Sequence, residues 1–249
     1  MQPEIAAEII DMPAEEYHAH PALSVTGAKR ILQAPALYRW AADNPPKSTK
    51  SFDFGKAAHL RVLGAGDPVE VLDFDSWRTK ASQEAKAEAE AAGRVPLLVK
   101  DWQTVEAMAA ALKAAELVTQ DGARFSIGDL FTDGQAEQSL FWIDSDTGVP
   151  CRCRLDWLPN PVPGRRMVIV DYKTAETADP AEFGRAVDSY DYHVQDWWYR
   201  DGVRACGVHE DPAFVFVVQE KNPPYLVSVC QLDADAAALG RARGERARR

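Results

Sequence analysis

The chain of 249 residues holds 38 acidic side chains against 28 Lys and Arg, a formal charge of −10, with 46% hydrophobic and 27% charged residues. This is an ordinary globular composition, fit for one large domain or one domain plus an insertion. No apolar run approaches the roughly 20 residues of a membrane span, and an N-terminus with Glu4, Glu8 and Asp11 lacks the layout of a secretory signal, so a cytoplasmic protein without membrane contact is expected.

A net negative chain argues against a nucleic-acid partner, since phosphates are met by Lys and Arg. The charges are unevenly spread, however. Residues 21–63 hold Lys29, Arg30, Arg39, Lys47, Lys50, Lys56 and Arg61 against two acidic side chains, and residues 240–249 form a basic tail with Arg241, Arg243, Arg246, Arg248 and Arg249. Either stretch reads as a DNA track or as a solvated face, and the tail as a frayed solubilising end or a DNA contact.

In chain order, Ser24 supplies helix-start chemistry and Pro35 splits the segment from Val25 onward into two short helices, the second ending at Asn44-Pro45-Pro46. Residues 51–63 read as a mostly buried helix with one polar oddity, His59. Two further helices, 81–93 and 102–118, make a helical insertion at about 76–120. The pattern then turns to strands at 137–143, 149–158 and 166–173, separated by Asp144-Ser145-Asp146-Thr147-Gly148 and Asn160-Pro161, which predicts a three-stranded meander. Met167-Val168-Ile169-Val170 is apolar on both faces and suits a central strand. One long helix over 180–206, strands at 213–218 and 225–231, and a short basic helix complete the chain.

Four cysteines, at 151, 153, 206 and 230, form no disulfide framework in a chain this long. Alternation turns Cys151 and Cys153 to one strand face, read as the core, and places Arg152, Arg154 and Asp156 on the other. An iron–sulfur cluster is the sharper alternative, with irregular spacing against it.

The chemistry gathers at 167–174. Asp171 and Lys173 project from one face of a strand, fifteen residues after the carboxylate of Asp156. A carboxylate is a hard ligand for Mg²⁺, and phosphodiester hydrolysis needs a metal to activate water and absorb phosphate charge. A lysine beside it orients the water or stabilises the transition state. Arg152 and Arg154 either grip a phosphate or neutralise nearby carboxylates.

The order of motifs resembles the RecB-like branch of the PD-(D/E)xK nuclease superfamily, and more closely the exodeoxyribonuclease VIII nuclease-domain family. Five separated segments carry the resemblance, over about residues 9–232: Tyr17-His18-Ala19 with Ala34-Pro35-Ala36-Leu37-Tyr38, Phe54-Gly55-Lys56-Ala57-Ala58-His59, Cys151 to Asp156, Asp171-Tyr172-Lys173-Thr174, and Tyr192-His193-Val194-Gln195-Asp196.

The resemblance implies an α/β (α+β) restriction-endonuclease-like core, a mixed central sheet flanked by helices, spanning 1–249 as a single domain. It implies His59, Asp156 and Asp171 as metal ligands, with the Tyr172 carbonyl as a further oxygen. Lys173 would hold the attacking water. Gln195 and Tyr199, four apart on a helix, would line the site beside the DNA strand, and Glu137 would be an additional acid. Lys47 and Lys50 read as contacts to a DNA end or as loop charges.

The implied activity is Mg²⁺-dependent hydrolysis of linear double-stranded DNA, with Mn²⁺ as substitute, as a 5′-to-3′ exonuclease of phage-type recombination. A ring-shaped homo-oligomer and a single-strand annealing protein are the implied partners. Two alternatives stand beside it: a RecB-type nuclease acting on single strands or cutting internally, and a DNA-end-binding protein without turnover. Taken alone, each residue also has a plain structural reading. His59 would be a core histidine, Asp156 a turn former, Asp171 with Lys173 a salt-bridged strand end, and Gln195 with Tyr199 a solvated helical pair.

Overall fold

The computed structural model describes residues 7–44, 50–119 and 122–249, with side chains omitted at 50–52. The N-terminal part runs through β1 (Glu8–Ile10), α1 (Ala14–Ala19), β2 (Leu23–Ser24), α2 (Val25–Gln33), α3 (Pro35–Asp43) and α4 (Lys50–Leu63). The Ser24 hydroxyl accepts from the Gly27 N–H at 3.1 Å and starts α2. Ala34 is held extended by the following proline, which ends α2 and opens α3.

Next come β3 (Val69–Leu72), α5 (Lys80–Ala91), β4 (Val95–Leu98), α6 (Val99–Ala114), β5 (Glu116–Val118), β6 (Arg124–Ser126) and a 3₁₀ turn at Ile127–Phe131. The expected helical insertion is therefore mixed, because β3 and β4 pair in parallel and β5 pairs with β6. Nor is its second helix peripheral. Val105, Met108 and Leu112 of α6 are buried in the core, and the buried Gln219 amide donates to the Met108 carbonyl at 2.8 Å.

The main sheet is completed by β7 (Gly134–Ile143), β8 (Pro150–Pro159), β9 (Val168–Ala175), β10 (Ala213–Glu220) and β11 (Val227–Cys230), in the order β1-β7-β8-β9-β10-β11, with β2 added along β8. All its neighbours on that path are antiparallel except β9 and β10, which run parallel. The meander expected from the sequence is present, and β9 lies inside the sheet as its apolar run required. On one face Leu140, Cys153, Leu155, Ile169 and Phe216 pack under helices; on the other, Val170, Tyr172 and Val217 pack under α4 and α6.

The long helix expected over 180–206 is two, α7 (Pro180–Ser189) and α8 (Tyr192–Ala205). Asp191 breaks it with a left-handed φ of 53°, a conformation that Asp tolerates better than most residues. Its carboxylate accepts from Arg243 at 2.9 Å, which fastens the break to the last helix, α9 (Ala234–Arg248).

The basic tail is likewise folded. Within α9, a Cβ at Gly240 would stand 2.0 Å from the His193 carbonyl oxygen, and one at Gly244 would stand 2.1 Å from the Trp197 ring, so only glycine lets the helix approach α8. Arg248 is buried, its guanidinium 4.3 Å from the Trp198 ring centroid and bonded at 2.7 Å to both Asp144 and Asp201. Among the described residues no helix is long and apolar enough to cross a membrane.

Candidate active site

The site forms where β8 and β9 meet. Trp157 pairs with Val170 across the two strands, and just beyond that pair the Tyr172 N–H donates to the Asp156 carboxylate at 2.8 Å. Strand alternation puts Asp171 and Lys173 on the helix α8 side of the sheet and Tyr172 on the α4 side. The cleft is consequently furnished from both faces.

From α4 comes His59, with Nδ1 3.7 Å from the Asp156 carboxylate and its ring 5.2 Å, centroid to centroid, from Tyr172. Burial, and then Lys173, lower its pKa, leaving a neutral imidazole with a lone pair to give. A hydrogen bond with the Tyr172 backbone also acts on this imidazole, which places that main-chain group beside the ring. The Tyr172 side chain turns away, its hydroxyl donating to Gln219 at 2.6 Å in the core.

Glu137 enters from β7, opposite Asp156, and holds a left-handed φ of 54° in the middle of a strand. This strained conformation is the kind that persists where the surroundings over-determine it. It brings the Glu137 carboxylate into a group with His59 and Asp156 whose ligand atoms all lie within 4.8 Å of one another. Asp156 is driven well above the usual carboxylate range, by burial first and then by the negative charge of Asp171. A neutral nitrogen and two crowded carboxylate oxygens are a donor set suited to a divalent cation.

Asp171 is placed differently from that trio. Its carboxylate makes an ion pair with Lys173 and accepts from the Gln195 amide at 2.6 Å. Burial disfavours the charge on Lys173, but Asp171 and Asp156 outweigh it and raise its pKa, so the ammonium is retained. Gln195 and Asp171 are both buried. The result is a fixed Gln195–Asp171–Lys173 chain beside the His59–Glu137–Asp156 cluster.

Among the remaining candidates, Arg154 donates to Glu137 at 2.5 Å and to the Met12 carbonyl at 3.0 Å, so it positions a carboxylate. Arg152 stands apart. It lies 4.6 Å over the Tyr17 ring and donates to the His18 carbonyl at 3.3 Å, while its buried Nε and Nη1 have no hydrogen-bond partner among the described residues. Both N–H groups are shielded from solvent, and besides the His18 carbonyl the contact the structure gives this guanidinium is the Tyr17 ring face.

Tyr199, expected along the DNA strand, is buried with its ring edge-on to Phe214 at 5.8 Å; it backs the site from the core instead of presenting a surface. The apolar neighbours Val194, Trp198 and Val203 on α8 explain that turn inward. Lys47 lies outside the described residues, and of Lys50 only its place at the start of α4 is described.

One residue was hidden in the sequence. Lys29, counted there only among basic charges, reaches from α2 to stand 5.3 Å from the Tyr192 ring centroid, while Lys173 stands 5.2 Å from the same centroid. Only the rotation of α2, set by its Ser24 cap, could have revealed it. The cysteines are free, with Cys151 and Cys153 in the core and Cys206 and Cys230 partly buried.

A mixed sheet with a crossover between parallel strands, carrying acids on two adjacent strands and a lysine two residues after the second, defines the PD-(D/E)xK nuclease superfamily. Residues 24–245 match the PDDEXK-like domain of unknown function (DUF3799), and the chain belongs to that family. Its fold is similar to the crystal structure of a "Putative exonuclease" from Eubacterium rectale, with a TM-score of 0.60 at 13% identity, over 96% of this chain and 87% of the other. No curated protein matches the sequence.

Proposed function

We propose that the protein is a metal-dependent deoxyribonuclease hydrolysing phosphodiester bonds of linear double-stranded DNA, as a 5′-to-3′ exonuclease of the exodeoxyribonuclease VIII type in phage-type recombination. The observation that carries the reading is the meeting of His59, Glu137 and Asp156 beside the Gln195–Asp171–Lys173 chain. Family membership and the five motifs support it.

His59, Glu137 and Asp156 would hold Mg²⁺, with Mn²⁺ as a substitute; Asp171 and the Tyr172 carbonyl stand next to them. When bound, the ion supplies charge for the phosphate oxygens and lowers the pKa of a water. The protein's own part is positional. Gln195 fixes the Asp171 carboxylate, Asp171 fixes the Lys173 ammonium, and Lys173 orients the attacking water toward phosphorus. Arg152 takes a backbone phosphate once DNA binding uncovers its shielded N–H groups, and Arg154 keeps Glu137 aimed at the cluster.

In the full reading the enzyme works as a ring-shaped homo-oligomer threaded by DNA, with a single-strand annealing protein receiving its product. The test compares wild type with Asp171→Ala on linear duplexes labelled at either the 5′ or the 3′ end, with and without Mg²⁺. Wild type should release 5′ label as mononucleotides only with metal, and the variant should release none. Nicking of closed circular DNA would replace the exonuclease reading by an internal cutter. Intact DNA ends bound without turnover would remove catalysis altogether.

A further inference from the structure

Lys29 and Lys173 bring two ammonium groups to one phenol ring, that of Tyr192, which itself is packed against Phe183 and Phe216. The carboxylates near Lys29 are Asp171 and Asp191. Both are already engaged, Asp171 by Lys173 and Gln195, and Asp191 by Arg243 at 2.9 Å. Among the described residues Lys29 has no ion pair of its own.

A partly buried cation beside a second cation, with no anion assigned to it, is an unfavourable arrangement for the free protein. Burial, and then Lys173, pull its pKa down to about 8. Its ammonium already stands over an aromatic face, and an incoming anion would relieve both costs. We infer that Lys29 is a substrate-binding residue, taking a non-bridging oxygen of a DNA phosphate at the active site, with Lys173 at the same Tyr192 ring. This rests on the nuclease reading and adds a contact from α2 that none of the superfamily-type motifs in β8, β9 or α8 supplies.

The test is binding of a 5′-phosphorylated linear duplex oligonucleotide in EDTA, where nothing is cut, over a range of salt concentrations, for wild type, Lys29→Met and Lys29→Arg. Methionine keeps an unbranched apolar side chain of similar length and removes the charge. Loss of a charge-assisted contact should weaken binding about 10- to 100-fold, and lower the slope of log affinity against log salt by about one. Lys29→Arg should recover both. A merely structural role would shift the melting temperature and leave the salt slope as in wild type.

If Lys29→Met keeps the affinity and salt slope of wild type, the assignment of Lys29 is overturned while the nuclease reading stands. If wild type itself neither binds nor cuts the duplex, the underlying reading falls and the assignment with it.

Discussion

Lys173 owes its position to Asp171, and Asp171 owes its own to Gln195, so the ammonium is tethered through two charge-assisted contacts. Removing the charge should therefore cost rate more than binding. Lys173→Met is expected to lower kcat about 10²- to 10³-fold, the usual loss of one transition-state donor, with end binding in EDTA largely kept; steady-state kinetics and a binding titration separate the two. A second residue reports on pH. Burial pushes the Asp196 carboxyl up to about 6, against the opposing pull of Arg200. The folded state thus holds this proton more tightly than the unfolded chain, and the stability it brings is present below about 4 and lost as pH rises to 6. Asp196→Asn should abolish that part of the slope and be more stable than wild type by on the order of 1–3 kcal/mol at pH 7; parallel urea curves for the two proteins across pH 4–7 would refute it. At this scale Asp171 and Lys173 were legible from residue type and strand alternation, whereas His59 and Asp156 joined them only through the family resemblance, since a lone histidine on an apolar helix reads as a core residue. Glu137 was placed only as an additional acid, since its membership of the cluster depends on a left-handed φ of 54° that the strand pattern around it conceals. Arg152 and Arg154 looked equivalent by alternation, yet one is neutralised by Glu137 and the other keeps free donors, a difference set by what packs above each.

Helix α9 docks on α8 through close backbone approach, and its glycines fix how near it comes. A methyl at Gly244 would meet the Trp197 ring at 2.1 Å, so Gly244→Ala should destabilise the fold by about 1–3 kcal/mol, the range for overpacking. Gly184, within α7, has nothing within 4 Å of where a Cβ would stand. There the same substitution meets only the helix preference for alanine, and Gly184→Ala should add roughly 0.5–1 kcal/mol. Urea midpoints of the two variants moving in the same direction would show that the docking distance does not control stability. Most elements were legible from periodicity and caps: the three-strand meander, the buried helix holding His59, and the internal position of β9. The break at Asp191 was not, because no proline or glycine marks it and the ion pair with Arg243 comes from a helix about 50 residues away in sequence. The same distance hid the fate of the tail, whose arginines look solvent-bound until Arg248 is seen against three tryptophans. The insertion was read from its helical composition alone, which gives no hint that Met108 and Leu112 seal the sheet.

At the scale of the molecule, a chain of net charge −10 gathers carboxylates at the centre of its sheet, and the folded state bears their repulsion whenever no cation is present. Metal binding and folding are therefore linked: an ion that recognises only the assembled His59–Glu137–Asp156 group stabilises the native state by mass action. At a hundredfold excess over its dissociation constant the gain is about 2.7 kcal/mol, which for a domain near 250 residues is a rise of roughly 5–10 °C in Tm. Adding Mg²⁺ or Mn²⁺ to EDTA-treated wild type should produce that rise, with EDTA reversing it. Asp156→Asn should melt higher than wild type without metal, having lost a buried like charge, and should respond little to metal. This double signature separates a metal centre from unspecific screening of an acidic surface, because screening would raise both proteins alike. Differential scanning fluorimetry of the pair, with Ca²⁺ as a hard cation of different size, decides between them: equal shifts in wild type and Asp156→Asn would mean that the clustered carboxylates hold no specific ion.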